Sequence, residues 1–208
     1  QSHGHQLQLV GKGWAGPLLA GEGWPVHTRP SGLRASAGQL RGLRRDALAL
    51  DPGFERRDNA LVLPTSFSSA LEMRLAGLRC VGYAQEGRSP LLRRSLPQHA
   101  HGEHALTSYW GLACQFLGVQ ADPPREIGLR STPADQAAAD ALLQQHGVRP
   151  GFVVICPFAG GLFEKQDKTW PAFAAFTRAL LTLGRDVVAC PGPGEDDIIT
   201  GQHPGVIG

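Results

Sequence analysis

The sequence is poor in the features that mark whole classes of protein. It has 4 cysteines among 208 residues, and none of them belongs to a CxxC pair, which excludes zinc ribbons and thioredoxin-type redox motifs. Cys80, Cys156 and Cys190 lie inside apolar runs. Because a free cysteine behaves as a small hydrophobe, we expect these three to be reduced core residues of a cytosolic protein.

Long hydrophobic runs and excess charge are lacking too. No apolar stretch is long enough to cross a bilayer, and the N-terminus lacks the charged-then-apolar layout of a signal peptide. The net charge is only +2, and the small basic groups at 41–45 and 93–94 are typical of a solvated surface. We therefore expect a soluble protein, at most peripheral to a membrane, with no nucleic-acid partner.

What the sequence does contain is an alternation of short apolar runs with helical patterns, which is typical of an α/β fold with parallel sheets. The predicted strands are the runs at 6–10, 59–64, 80–83, 152–156 and 186–190.

Several helices have clear boundary signals. One is capped by Thr65-Ser66 and closes at Gly77, a second ends at Gly118, and a third opens with Thr132 as N-cap and Pro133 at its first position. A fourth begins at Pro171. The predicted inward residues are Phe67, Leu71 and Leu75 in the first helix, Leu106, Tyr109, Trp110, Ala113 and Leu117 in the second, and Phe173, Phe176 and Leu180 in the fourth.

The stretch 119–134 is proline-bearing and poorly periodic, which indicates an interdomain connection. We place one Rossmann-like domain at 1–124 and the start of a second at 125–208. Parallel sheets need several strands and two covered faces. We therefore expect the C-terminal domain to be truncated, with its remainder missing.

The turn between strand 152–156 and the helix at Pro171 has the composition of a diphosphate cradle. Gly160 and Gly161 allow backbone N–H groups to approach an anion closely, Lys168 adds a point charge, and the helix dipole points at the same place. The alternative is a plain glycine turn with a solvated Lys168, because the spacing is neither a Walker motif nor GxGxxG. The residues alone leave both open.

Two blocks carry a family resemblance. The string "CPFAGG…KTWP" followed by "LGRDVVACPGPGEDD", and the segment "NALVLPTSFSSALEMRLAGLRCVGYAQEGRSPLL", resemble glycosyltransferase family nine, the ADP-heptose:lipopolysaccharide heptosyltransferases, most of all heptosyltransferase II. The resemblance implies a GT-B fold, in which two Rossmann-like domains face each other across a cleft. The C-terminal domain would hold the nucleotide sugar, and the N-terminal domain the lipid-linked acceptor.

The resemblance also implies a chemistry. These enzymes are inverting and use neither a metal nor a cofactor: an aspartate deprotonates an acceptor hydroxyl, which attacks the heptose as ADP departs. The partners would be ADP-heptose and the lipid A-core acceptor, met at the cytoplasmic face of the inner membrane. Lys168 matches the lysine of the family's KxWP-type motif and would bind the donor diphosphate together with Gly160 and Gly161.

On the acceptor side the match is less complete. Ser68 stands where "SFKSA" or "SFRSA" is usual, and a hydroxyl cannot replace a cation toward an anionic acceptor. Arg88 in "EGRS" matches and is a candidate contact to an acidic acceptor. The family's catalytic Gly-Asp motif and its late Asp-(Ser/Thr)-Gly motif are not in this chain. We therefore name no general base. The resemblance implies truncation at both ends, with the first strand missing from the N-terminal domain, and we expect this fragment to be inactive.

Two other functions compete. His99, His101 and His104, with Glu103, could bind zinc in a hydrolase, although the spacing is not HExxH and a polar helix entry explains the cluster equally. A non-catalytic α/β module that binds a nucleotide without turnover is the second alternative. Glu195 in "PGPGE" either lines the nucleotide site or closes a turn before the next helix.

Overall fold

The computed structural model describes residues 4–97, 104–126, 128–157, 162–163, 166–167, 169–192 and 194–208. The chain folds into two compact units, Gln1–Ser131 and Thr132–Gly208; the composition of the sequence suggests a boundary at 124/125. Both units combine helices with parallel strand pairs, so the predicted α/β class with parallel sheets is confirmed.

Strands and helices alternate in the first unit. Its strands are β1 (Leu9–Gly11), β2 (Val26–Thr28), β3 (Ala60–Leu61), β4 (Cys80–Tyr83) and β5 (Arg94–Leu96). Its α-helices are α1 (Ala15–Leu18), α2 (Leu33–Leu50), α3 (Phe67–Leu75) and α4 (Ala105–Leu117). The sheets have the strand orders β1-β2 and β3-β4-β5, and every pair is parallel.

Strand β4 forms the centre of this unit because all four of its residues are buried. Side chains alternate across a strand, so Cys80 joins the cluster beneath α3, whereas Val81 and Tyr83 join the cluster beneath α4. Burial raises the pKa of the Cys80 thiol to about 12. Cys80 is thus the core cysteine that the apolar run predicts.

The buried faces of α3 and α4 differ from the predicted ones. Phe67 and Leu75 are exposed, and α3 instead buries Ala70 and Glu72. In α4, Tyr109 is exposed and Leu112 is the fully buried residue. The apolar residues recur at helical spacing as predicted, but the buried face of each helix is rotated away from the predicted face. The sequence of a helix alone does not determine which side of it packs against the sheet.

The second unit contains α5 (Pro133–Gln145), β6 (Val153–Ile155), β7 (Leu162–Phe163), β8 (Gln166–Asp167), α6 (Phe173–Thr182), β9 (Val187–Ala189) and α7 (Asp196–Gln202). Strands β6 and β9 are parallel, and β7 pairs with β8 as an antiparallel hairpin. The predicted cap of α5 is confirmed: Thr132 and Asp135 form a reciprocal capping box.

The core of the second unit lies between β6, β9, α6 and α7. Its buried members are Ile155, Val187, Ala189 and Ile199. Phe173 and Leu180 pack against it as predicted, but Phe176 is exposed. Cys156 and Cys190 are exposed as well, so the prediction that they are core residues is wrong. In the part of the chain that the structure describes, no helix has the length and apolar character needed to cross a bilayer.

Candidate functional site

The carboxyl ends of β6 and β9 form the edge at which an open α/β sheet binds its ligands. The connection from β6 to α6 leaves this edge and contains the β7-β8 hairpin, in which Leu162 pairs with Asp167 and Phe163 with Gln166. Gly160, Gly161 and Lys168 lie outside the described residues, so their role in binding a diphosphate stays a prediction. The sequence did not indicate the hairpin.

An aromatic group marks the entry to α6. The ring centroid of Trp170 lies 5.7 Å from that of Phe173 and 5.7 Å from that of Phe176. Trp170 is 52% exposed. The helix itself begins at Phe173 rather than at Pro171, and its N-cap, Ala172, makes no side-chain cap hydrogen bond. The N–H of Phe173 instead donates to the Trp170 carbonyl at 3.0 Å, so the turn before α6 satisfies the first N–H group of the helix.

A buried polar contact fixes α6 behind this loop. The Thr177 hydroxyl donates to the Phe173 carbonyl at 2.9 Å and lies 3.1 Å from Nδ1 of His203. A hydroxyl has one proton to donate, so Nδ1 of His203 is the donor in the second contact. The His203 ring also lies edge-on to Phe173, with centroids 5.9 Å apart. Helix α6 and the end of α7 are thereby held together.

Gly192 and Glu195 of the "PGPGE" segment are joined by hydrogen bonds directly before α7. The backbone N–H of Gly192 donates to Oε2 of Glu195 at 2.7 Å, and the N–H of Glu195 donates to the Gly192 carbonyl at 3.0 Å. The Glu195 carboxylate is therefore engaged within its own turn. Of the two interpretations of Glu195, this geometry supports a turn before the next helix rather than a position in the nucleotide site.

The N-terminus of α3 carries the predicted acceptor-side serine. Ser66 is the N-cap and accepts from the N–H of Ser69 at 3.4 Å. Ser68 is exposed, and its hydroxyl oxygen lies 3.2 Å from that of Ser66. The N–H of Phe67 donates to Oε2 of Glu86 at 3.2 Å. A carboxylate thus occupies the positive end of α3.

Arg88 lies beneath this helix end and is fully buried. Its Nε donates to the Tyr83 carbonyl at 2.8 Å and its Nη1 donates to the Pro64 carbonyl. Within the described part of the chain, Nη2 has no acceptor, and burial lowers the pKa of the guanidinium. Arg88 therefore joins the chain just after β3 to the end of β4. A contact to an acidic acceptor would need an exposed guanidinium, whereas this one is buried.

The histidine cluster is described only in part. His99, His101 and Glu103 lie outside the described residues. His104 is the N-cap of α4, where its Nδ1 accepts from the N–H of Leu106 at 3.2 Å. Among the residues that the structure describes, no group of three His, Cys, Asp or Glu side chains could hold a metal ion.

Comparison with known families decides the assignment. Residues 53–203 match the sequence profile of glycosyltransferase family 9 (heptosyltransferase). The chain belongs to this family. The match extends from the segment before β3 into the end of α7, so it includes the surroundings of Ser68, Arg88 and Lys168. A search of curated protein sequences gave no significant match.

Solved structures of family 9 proteins share the fold. The chain is similar to E. coli ADP-heptose LPS heptosyltransferase II (TM-score 0.65, 21% identity, 94% of this chain and 58% of that chain). It is also similar to a family 9 glycosyl transferase from Veillonella parvula DSM 2008 (0.62, 17%, 86% and 50%). A third is E. coli heptosyltransferase WaaC with ADP-2-deoxy-2-fluoro heptose (0.56, 17%, 97% and 64%). The chain thus spans about half to two thirds of these family 9 structures, whose α/β fold it shares.

Sequence reasoning missed Glu86, although a local signal was present. Glu86 has φ 48° and the following Gly87 has φ 69°, a pair of left-handed residues that makes a tight turn directly after β4. Glu-Gly after a predicted strand indicates such a turn. That the turn would bring a carboxylate to the N-terminus of α3 is a tertiary fact that the local signal does not contain.

Proposed function

We propose that the protein is a heptosyltransferase that moves heptose from ADP-heptose to the inner core of lipopolysaccharide at the cytoplasmic face of the inner membrane. The observation that carries the proposal is the family 9 match over residues 53–203. Two structural neighbours support it, since one is named as an ADP-heptose LPS heptosyltransferase and the other is a heptosyltransferase solved with a fluorinated ADP-heptose.

The proposed chemistry is inverting and independent of metal. An acceptor hydroxyl attacks the anomeric carbon, the bond to the diphosphate breaks, and negative charge grows on ADP. Lys168, the N–H groups at Gly160 and Gly161 and the N-terminus of α6 would stabilise that charge. Loss of one such contact raises a barrier by about 3 kcal/mol, which is roughly a hundredfold in rate.

On the acceptor side we assign contact to Ser68, which is exposed at the N-terminus of α3. The carboxylate of Glu86 already accepts from the first N–H of this helix. A further anion at this point would meet like charge and no cation from position 68, so a hydroxyl group of the acceptor fits better than a phosphate. Arg88 supports this surface by holding the Pro64 and Tyr83 carbonyls.

The test is transfer from ADP-heptose to a heptose-deficient core lipid, measured by mass spectrometry with the complete protein. Lys168→Ala should lower kcat by about a hundredfold, whereas Lys165→Ala, three positions earlier in the same loop, should stay close to the parent. If the parent binds ADP but transfers nothing, the non-catalytic binding module replaces this proposal. Equal rates for the two variants would contradict the role of Lys168.

A further inference from the structure

Two exposed cysteines end neighbouring strands of the second unit. Cys156 follows β6 and Cys190 follows β9, and both are exposed. The strands are parallel and Ile155 lies opposite Ala189. The residues one step further along each strand, Cys156 and Cys190, therefore face each other across the pair.

The local sequence extends this register past the ends of the strands. Each cysteine precedes a proline, Pro157 or Pro191, and a residue before proline favours extended backbone. Two extended residues that face each other on adjacent strands lie about 4.8 Å apart between strand axes. A disulfide requires a Cα separation of roughly 4.4 to 6.8 Å. The spacing of the strands thus falls within the span of a disulfide.

Both side chains also leave the sheet on the same side. Ile155 and Ala189 point into the core of the unit, and side chains alternate along a strand. The next residue on each strand therefore points to the opposite face, where Val154 is also exposed. This alternation places both cysteines on the face opposite the core, and both are exposed in the part of the chain that the structure describes.

We propose that Cys156 and Cys190 form a vicinal dithiol that small disulfides, such as oxidised glutathione, convert reversibly into an intramolecular disulfide. The thiolate of one cysteine attacks the small disulfide, which forms a mixed disulfide and releases one small thiolate. The second cysteine thiolate then attacks the protein sulfur and releases the second small thiolate. Both cysteine thiols are oxidised, the external disulfide is reduced to two thiols, and the two protons lost by the cysteines protonate the departing thiolates.

This modification site goes beyond the proposed transferase activity. A bond between Cys156 and Cys190 would join the β6-α6 connection to the turn that opens α7. It does not involve Cys80, which is buried in the first unit, or Cys114, which lies on α4. Reduced thiols restore the dithiol by the same exchange in reverse.

The first experiment exposes the folded chain to glutathione buffers of increasing oxidised fraction and measures intact mass without reductant. The parent and the Cys114→Ser control should lose the thiols of Cys156 and Cys190 without retaining glutathione. Cys156→Ser and Cys190→Ser should each retain one glutathione on the remaining cysteine. A parent that ends with glutathione on both cysteines, or a peptide map that joins a different pair, would overturn the proposal.

A second measurement does not depend on oxidation. Phenylarsine oxide condenses with two neighbouring thiols, forming two As–S bonds and releasing one water. The parent should bind one equivalent that resists excess monothiol, and each single variant should lose this adduct. Circular dichroism of the variants separates loss of the dithiol from loss of the fold. Failure of a folded parent to retain the arsenical contradicts the dithiol, whatever the outcome of the transferase assay.

Discussion

Arg29 and Glu72 form an ion pair that joins the end of β2 to α3. Both nitrogens Nε and Nη2 of Arg29 donate to the carboxylate, Nε at 2.9 Å, and the Ser36 hydroxyl on α2 donates to Oε2 at 2.7 Å. Burial alone would raise the pKa of Glu72, but the hydrogen bonds from Arg29 and Ser36 lower it overall. Three segments that are distant in sequence meet at one buried carboxylate.

Removal of this carboxylate should destabilise the first unit. We expect Glu72→Ala to lower the free energy of unfolding by about 2 kcal/mol, because the buried Ser36 hydroxyl loses its acceptor, whereas the half-exposed Arg29 can turn to water. Urea unfolding measures the change. Glu55→Gln, which weakens the more exposed pair with Arg44, is the control and should cost less than about 1 kcal/mol. Equal losses for the two variants would show that burial does not matter here.

Asp186 should make stability depend on pH in the acid range. Its hydrogen bonds with Arg149 lower its pKa from 3.8 to about 2. A carboxylate with a lowered folded-state pKa stabilises the fold above its unfolded pKa, so this contribution is complete above pH 3.8 and disappears as the pH falls through about 2. Unfolding measured between pH 5 and 2 should decline less steeply in Asp186→Asn than in the parent.

The partner residue provides the control for that titration. Arg149→Gln should flatten the same part of the pH profile, because the Asp186 pKa is lowered chiefly by the side-chain hydrogen bond from Arg149. Parallel profiles for the parent and both variants would contradict the assignment.

A cation at position 68 should change which acceptor is preferred. Ser68→Lys places an ammonium group near Glu86 at the N-terminus of α3, so we expect the ratio of kcat/KM for a phosphorylated over a dephosphorylated acceptor to rise about tenfold, equivalent to 1.4 kcal/mol. Ser68→Gln lengthens the side chain without charge and should leave the ratio unchanged. The KM for the donor should stay constant in both. A shift in the donor KM alone would indicate that Ser68 contacts the donor, which would contradict its assignment to the acceptor.

The cysteines should differ sharply in alkylation. Burial raises the pKa of Cys80 to about 12, so its thiolate is scarce at pH 8 and shielded from reagent. Iodoacetamide on the folded, reduced chain should label Cys156 and Cys190 but not Cys80, and all should react in urea. Peptide mapping by mass spectrometry gives the comparison. Labelling of Cys80 at the rate of Cys190 in the native chain would contradict the burial of β4.

Local signals in the sequence predicted the ends of elements better than their faces. Ser66 and Thr132 cap α3 and α5 as predicted, and Gly118 ends α4 in the left-handed conformation, because caps depend on neighbouring residues. Helix α2 was missed, since its buried face contains Ser36 beside Ala37 and Leu40. Ser36 on α2 and Glu72 on α3 are buried together because they hydrogen-bond to each other. The residue pattern of one helix cannot reveal a contact with another helix.

The candidate site shows the same limit. Family motifs could select Ser68, Arg88 and Lys168 by type, but exposure is decided by neighbours in space. Arg88 is buried because two backbone carbonyls accept from its guanidinium. Cys156 and Cys190 are exposed because Ile155 and Ala189 take the inward positions on their strands. An apolar run of four or five letters cannot show which of its members faces the core.

The guanidinium beneath α3 couples two loops mechanically. Arg88 donates hydrogen bonds to the carbonyls of Pro64 and Tyr83. The segment leading into α3 and the turn after β4 are therefore both held by the same side chain. A shift of either segment therefore changes a hydrogen bond of the same side chain. Through this one guanidinium, the positions of the two segments depend on each other.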